Sequence, residues 1–152
     1  MRLLAIGKSG GKSPEMEIFA RYAKRLRPEL TLHEFPDGVG SAGEIKRREA
    51  DALLGALRPD EFLIALDLGG QTPTSEALAT QLATWQGRAK KLAFIIGGAE
   101  GLDATVLARA GATLSLGTLT WPHMLVRAML AEQLYRAHTI LTGHPYHRAG
   151  RP

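Results

Sequence analysis

The 152-residue sequence contains no cysteine, which excludes both a disulfide framework and a thiolate metal site. Long hydrophobic runs are absent as well. No apolar stretch approaches the roughly 20 residues of a membrane-spanning helix, and the apolar run after Arg2 is too short for a signal peptide. Internal repeats and low-complexity segments are also missing. We therefore expect a soluble, cytoplasmic protein that has no membrane partner.

The length and composition are sufficient for one domain spanning residues 1–152. Hydrophobic residues make up 45% of the chain and charged residues 22%, which is ordinary for a globular protein with a proper core. The net charge is +4, so an anionic partner such as RNA would be attracted. Many small proteins are basic without contacting nucleic acid, and the charge alone leaves both interpretations open.

Hydrophobic periodicity predicts strands that alternate with helices. Short apolar runs predict strands at residues 2–6, 30–35, 62–66, 92–96 and 113–116. Apolar residues at helical spacing predict helices at 14–27, 45–57, 73–85 and 122–141, with a short helix between the last two strands. The second strand alternates apolar and polar residues, which favours a place near the sheet edge. This order predicts an α/β fold with a parallel sheet covered by helices on both faces.

The predicted helix at 122–141 carries two apolar stripes. Val126, Leu130, Leu134 and Leu141 follow one face, whereas Met124, Ala128, Ala131 and Tyr135 follow another. A helix that is apolar over so much of its surface is usually buried on two sides. It is either the central helix of a monomer or a helix with one side against a second subunit. We favour the second interpretation, a homodimer.

Glycines follow three of the predicted strands, at Gly69-Gly70, Gly97-Gly98 and Gly117. One such junction indicates only a tight turn. Three at the carboxyl ends of neighbouring strands predict a shared pocket, because ligands bind at that edge of a parallel sheet and glycine lets the backbone approach closely.

The first loop, GKSGGKS, resembles a phosphate-binding P-loop but is one residue too short. Three residues rather than four separate Gly7 from the Gly-Lys-Ser triplet. A small P-loop-like nucleotide-binding protein that depends on Lys12 therefore remains an alternative only. We interpret Lys8 and Lys12 as contacts for RNA phosphates. No metal site is expected, because Pro145 breaks any helix between His144 and His147, and no acidic residue lies nearby.

Three segments together resemble a known family: IGGAEGL, LTWPHMLVRAMLAEQLYRA and the closing HPYHR. They are similar to the SPOUT-class RlmH (YbeA) family of ribosomal RNA methyltransferases, and the resemblance extends over essentially the whole chain, including MRLLAIGK and LDLGGQTPTSEALA. It implies a trefoil knot near the C-terminus, S-adenosylmethionine as methyl donor and a homodimer. It also implies methylation of N3 of a pseudouridine in large-subunit (23S) ribosomal RNA, in the assembled ribosome.

The resemblance also implies the site residues. The methyl-donor pocket would take Leu66, Gly97, Leu116, Gly117, Thr118, Leu119, Thr120 and Trp121. The sequence departs from the family at Ala99, where proline is common, and at Trp121, where a smaller apolar residue is usual. Neither departure removes a chemical group that methyl transfer needs. An apolar slot with backbone hydrogen bonds would suit an adenine ring.

The basic tail supplies the candidate catalytic groups: His144, Tyr146 and His147, with Arg148 as a candidate RNA contact. N3 of the acceptor must lose a proton, and these side chains are chemically able to assist. Which residue removes the proton stays open. The tail shows no apolar periodicity, so we expect it to add little to the core. A frayed end that holds RNA phosphate is the alternative role for the tail. For the whole protein, an RNA-binding module without catalysis is a further alternative.

Overall fold

The computed structural model describes residues 1–10 and 13–148. Strands and helices alternate along these residues. The strands are β1 (Arg2–Ile6), β2 (Thr31–Phe35), β3 (Glu61–Gln71), β4 (Lys91–Ile96) and β5 (Ala112–Leu114). The helices are α1 (Pro14–Ala23), α2 (Ala42–Gly55), α3 (Ser75–Arg88), α4 (Ala104–Arg109) and α5 (His123–Leu141).

The strands form one parallel sheet in the order β2-β1-β4-β3-β5. The predicted α/β fold is confirmed, and β2 lies at the sheet edge as its alternating pattern indicated. In a parallel sheet all strands end at the same edge. The segments that follow β1, β3, β4 and β5 are therefore brought together at the carboxyl edge.

The sheet is covered on both faces. Leu3 and Ala5 face a core shared with α1, α3 and α5, whereas Leu4 and Ile6 face a second core shared with α2 and α4. Successive strand residues point to opposite faces, so the unbroken apolar run of β1 fills both cores.

The largest differences from the predicted boundaries concern the ends of α1 and β3. Helix α1 ends at Ala23 rather than at residue 27, because the backbone tightens into a turn in which the Leu26 N–H donates to the Ala23 carbonyl. Leu26 is nevertheless buried, so the apolar periodicity continues beyond the end of the helix. Strand β3 continues past residue 66 to Gln71 through an irregular segment, and both Leu66 and Gln71 pair with Leu114.

Helix α5 packs between α1 and α3, and one chain covers most of both apolar stripes. Leu130 and Leu134 of the first stripe are fully buried, and so are Ala131 and, nearly, Tyr135 of the second. The stripes alone therefore do not require a second subunit, because neighbouring helices of the same chain satisfy them. The homodimer and the trefoil knot stay predictions.

None of the helices in the described parts of the chain is long and apolar enough to cross a membrane.

Candidate functional site

A cleft of about 570 Å³ opens at the carboxyl edge of the sheet. Its walls are the second half of β3, the segments that follow β4 and β5, and the first turn of α5. Six of the eight residues predicted for the methyl-donor pocket line it: Leu66, Gly97, Leu116, Gly117, Thr120 and Trp121. Thr118 and Leu119 belong to the same loop but do not line the cleft, and the Leu119 side chain faces solvent.

The segment after β4 folds back tightly on itself. The Gly101 N–H donates to the Gly98 carbonyl at 3.1 Å, and Gly101 adopts a φ of +78°. A Cβ atom on Gly97 would lie 2.9 Å from Leu102 Cδ2 and 3.1 Å from the Gly101 carbonyl carbon. A side chain at position 97 would thus force Leu102 to shift and would crowd the Gly101 backbone, and this loop forms one wall of the cleft.

The buried carboxylate of Glu49, in α2, also stabilises this loop. It is only 4% exposed and accepts hydrogen bonds from the Gly98 N–H at 3.3 Å and the Gly38 N–H at 3.0 Å. Glu49 was not predicted from the sequence, since a glutamate in a charged helix usually faces solvent. Its spacing could have revealed it, because Glu49 is four residues from both Ile45 and Leu53 on the inward face of α2.

The segment after β5 turns at Gly117. This glycine has a φ of +114°, and its carbonyl accepts a hydrogen bond from the Ser115 hydroxyl at 2.8 Å. A Cβ atom there would meet nothing within 4 Å. The need for glycine is therefore conformational, because an L side chain rarely adopts this φ.

The cleft fits S-adenosylmethionine in size and chemistry. Small-molecule sites are typically about 300–1,000 Å³ and mostly apolar with a few polar groups. Here aliphatic side chains such as Leu66 and Leu116 lie beside exposed backbone at the glycine turns, which suits a flat adenine with its hydrogen-bonding edge. Among the described lining residues, the titratable side chains are Asp67 and His123. Asp67 Oδ2 accepts the Gly69 N–H at 2.8 Å, so part of this carboxylate holds its own turn.

The first turn of α5 is fixed to the sheet edge by Arg127, which the sequence analysis also missed. The Arg127 side chain is fully buried, and its Nη2 donates to the carbonyls of Ile6 and Gly7 at 2.7 Å each. Its Nη1 lies 2.6 Å from Glu34 Oε1. The signal was present in the sequence, since Arg127 is the one charged residue in the apolar run from Met124 to Ala131.

Glu34 also fastens the loop after β1. Its carboxylate accepts the Ser9 N–H at 2.8 Å and the Ser9 hydroxyl at 3.2 Å. Burial alone would raise the pKa of Glu34, but the hydrogen bonds from Ser9 and Arg127 outweigh it and lower the pKa below its ordinary value. The Ser9 N–H is thus already occupied by a carboxylate, which argues against a phosphate-binding P-loop. Lys12 lies outside the described residues.

The tail, residues 144–148, does not line the cleft. The chain turns at Gly143, where φ is +69°, and then folds back along α5. Tyr146 contacts Glu132, and His147 contacts Arg136. At 1.5 Å per residue, these partners lie about 14 and 20 Å along the α5 axis from His123 at the cleft. One chain therefore does not bring the predicted catalytic residues to the predicted donor site.

The expectation that the tail adds little to the core was wrong for Tyr146. Its ring packs on Tyr135 and Tyr22, with centroid distances of 4.9 and 6.2 Å. Its hydroxyl lies 2.9 Å from Glu132 Oε1 and 3.1 Å from the Tyr22 hydroxyl. Burial, followed by these hydrogen bonds, raises the pKa of Tyr146. Such contacts join residues far apart in the sequence, so periodicity within the tail gives no sign of them.

Of the remaining predicted residues, His144, His147 and Arg148 lie in the tail, whereas Lys8 lies after β1. His147 Nε2 is 2.9 Å from Glu76 Oε1, and His144 Nδ1 accepts the Tyr146 N–H at 3.2 Å. Lys8 and Arg148 are exposed, Lys8 after β1 at the carboxyl edge and Arg148 in the tail. No cluster of three or more His, Cys, Asp or Glu side chains suited to a metal ion occurs within residues 1–10 and 13–148.

Comparison with known proteins gives one consistent family. Residues 1–147 match the family described as predicted SPOUT methyltransferase. A protein of Acidiphilium cryptum is 58% identical over 152 residues, covering 100% of this chain and 96% of that protein. One of Gluconacetobacter diazotrophicus is 56% identical (100% and 99% covered), and one of Rhodospirillum centenum is 50% identical (97% and 97%). All three carry the name ribosomal RNA large subunit methyltransferase H.

Proposed function

Because this chain belongs to the SPOUT methyltransferase family, together with the large-subunit ribosomal RNA methyltransferases H, we propose that it methylates large-subunit ribosomal RNA. The methyl donor is S-adenosylmethionine and the acceptor is N3 of a pseudouridine. The observation that carries this proposal is the cleft, which the second half of β3 and the segments after β4 and β5 build at the carboxyl edge. We place the activity in the cytoplasm, on assembled ribosomes.

The donor would lie among Leu66, Gly97, Leu116 and Gly117. Their aliphatic side chains and exposed backbone offer an apolar slot and hydrogen-bonding groups, while the tight turns keep the walls in place. The sulfonium of the donor already activates the methyl group. The protein therefore has mainly to place the acceptor nitrogen in line with it and to assist departure of the N3 proton.

The RNA would approach the carboxyl edge, where Lys8 is exposed in the loop after β1. The net charge of +4 favours association with phosphates, and Arg148 supplies a second exposed cation in the tail. Lys8 lies in the loop after β1 and Arg148 in the tail, so we assign them to different parts of the RNA contact.

A homodimer would resolve the separation between cleft and tail. The tail of one chain packs on its own α5 at Glu132 and Arg136, away from its own cleft. A second copy could bring its tail to this cleft, so that one site draws on two chains. His144, Tyr146 and His147 would then contact an acceptor base held by the partner's donor site.

The function is tested by two measurements on the full chain. Calorimetric titration with S-adenosylhomocysteine should show binding with a stoichiometry near one per chain. Ribosomes lacking the modification should then accept a labelled methyl group, and mass spectrometry of the digested RNA should identify N3-methylpseudouridine. Assembled ribosomes should be better substrates than free 23S RNA. RNA binding without any affinity for S-adenosylhomocysteine would instead identify a non-catalytic RNA-binding module.

The shared site is tested by mixing two inactive variants. One is Gly97→Val, which disturbs the donor wall, and the other lacks residues 144–152. After unfolding and refolding together, mixed dimers carry one site with an intact donor wall and an intact tail, so activity should return. If each tail served its own cleft, no mixture would recover. Light scattering on the wild type provides the control, since a stable monomer at micromolar concentration contradicts the dimer.

A further inference from the structure

His123 lines the cleft, whereas the tail residues 144–148 do not. It is the first residue of α5, it is half-buried, and it lines the cleft together with Pro122 and Val126. In the structure it is one of two described titratable side chains at the place where methyl transfer is proposed to occur.

The imidazole of His123 lies against Gly7. A Cβ atom at Gly7 would be 2.8 Å from His123 Nε2 and 3.3 Å from His123 Cδ2. Gly7 also has a φ of +90°, which an L side chain rarely adopts. The absence of a side chain at position 7 therefore leaves the space that the ring occupies.

Arg127 keeps this arrangement in place. It is four residues from His123 on α5, hence on the same side of the helix, and it donates to the carbonyls of Ile6 and Gly7. Because Arg127 is fully buried and also bonded to Glu34, neither the Gly7 backbone nor the first turn of α5 can shift independently. The position of the His123 ring is thus fixed by the backbone at the sheet edge.

We propose that His123 is a catalytic residue that removes the N3 proton of the acceptor base; this rests on the proposed methyltransferase function. N3 gives its proton to a ring nitrogen of His123 and its freed electron pair to the methyl carbon, while the carbon–sulfur bonding pair returns to the donor sulfur. The proton then passes from the imidazole to solvent. An imidazole exchanges protons readily near neutral pH, whereas a carboxylate is ordinarily a much weaker base.

Binding experiments test the position of His123 without any turnover. In a proton–carbon NMR spectrum, the His123 resonance is assigned by its loss in His123→Ala. Saturating S-adenosylhomocysteine should shift this resonance and leave that of His33, on the far edge strand β2, unchanged. The proposal would be overturned if S-adenosylhomocysteine binds but leaves the His123 resonance unshifted. No binding by the wild type would instead refute the proposed function.

Single-turnover methylation of ribosomes tests the chemistry. His123→Ala and His123→Gln should lose about 100-fold to 10,000-fold in rate, the usual range for a general base, while S-adenosylhomocysteine affinity and thermal midpoint stay close to wild type. Free imidazole should partly restore His123→Ala. His138→Ala, on the same helix but outside the cleft, is the matched control and should methylate normally. A His123→Gln rate within about tenfold of wild type, or a large loss in Asp67→Asn alone, would show that His123 is not the base.

Discussion

Arg127 and Glu34 form an ion pair of 2.6 Å although 93 residues separate them in the sequence. The guanidinium is fully buried, and the carboxylate side chain is 25% exposed. Through this pair the edge strand β2 is joined to the first half of α5, and through Ser9 to the loop after β1. The wall of the cleft formed by α5 therefore depends on a contact between the two ends of the chain.

Removing the carboxylate should destabilise the protein. Glu34→Gln leaves a buried cation without its counter-charge, a change that costs about 3–5 kcal/mol for a fully buried pair. We expect about 2–4 kcal/mol here, because Glu34 is partly exposed and Arg127 keeps two carbonyl acceptors. Urea unfolding monitored by tryptophan fluorescence measures the loss. Asp60→Asn, which breaks an exposed pair with Lys91, is the control and should leave the urea midpoint nearly unchanged.

The same pair predicts how stability depends on pH. The folded-state pKa of Glu34 is lowered from its ordinary value of 4.5. As pH falls, the unfolded chain binds this proton first, so the stabilisation is complete above about pH 4.5 and is lost as pH falls through the folded-state pKa. The difference in unfolding free energy between wild type and Glu34→Gln should therefore shrink from pH 6 towards pH 3. A difference that grows on acidification would contradict the sign of this shift.

Donor binding should be sensitive even to a methyl group at position 97. In Gly97→Ala the new Cβ would lie 2.9 Å from Leu102 Cδ2, so Leu102, which also lines the cleft, must move. We expect a loss of S-adenosylhomocysteine affinity of at least about tenfold, or 1.4 kcal/mol, by calorimetry. Gly87→Ala near the end of α3 has open space around the new Cβ and serves as control. It should bind normally, and equal affinity in both variants would remove Gly97 from the site.

Changes in the tail should lower the stability of the protein without weakening donor binding. Tyr146→Phe removes the hydroxyl that bonds Glu132 and Tyr22, and we expect a loss of about 1 kcal/mol in unfolding free energy. Deleting residues 144–152 also removes the ring from its contacts with Tyr22 and Tyr135 and should cost more. Donor affinity should stay near wild type in both variants, because the tail does not line the cleft. Methylation should be abolished by the deletion, and a truncated protein that methylates normally would exclude a catalytic tail.

The sequence by itself determined the succession of strands and helices, the parallel sheet and the family. The succession and the sheet follow from local periodicity, as in β1, whose four apolar residues fill both faces of the sheet. The family follows from the resemblance carried by IGGAEGL, LTWPHMLVRAMLAEQLYRA and HPYHR. Glycines in the last part of β3 and after β4 and β5 indicate the edge where the cleft forms. Such signals are carried by neighbouring residues, so they can be read without knowing the tertiary structure.

Only the tertiary structure decided which charged and aromatic side chains are buried and where the tail lies. Arg127, Glu49 and Tyr146 each obtain their partners from distant segments, and a linear pattern cannot show whether a charge or a phenol will find a partner. The same holds for His123, whose place at the cleft depends on the missing side chain of Gly7, 116 residues earlier in the chain. Packing brought these residues together, because folding places the ends of distant strands and the first turn of α5 at one edge of the sheet.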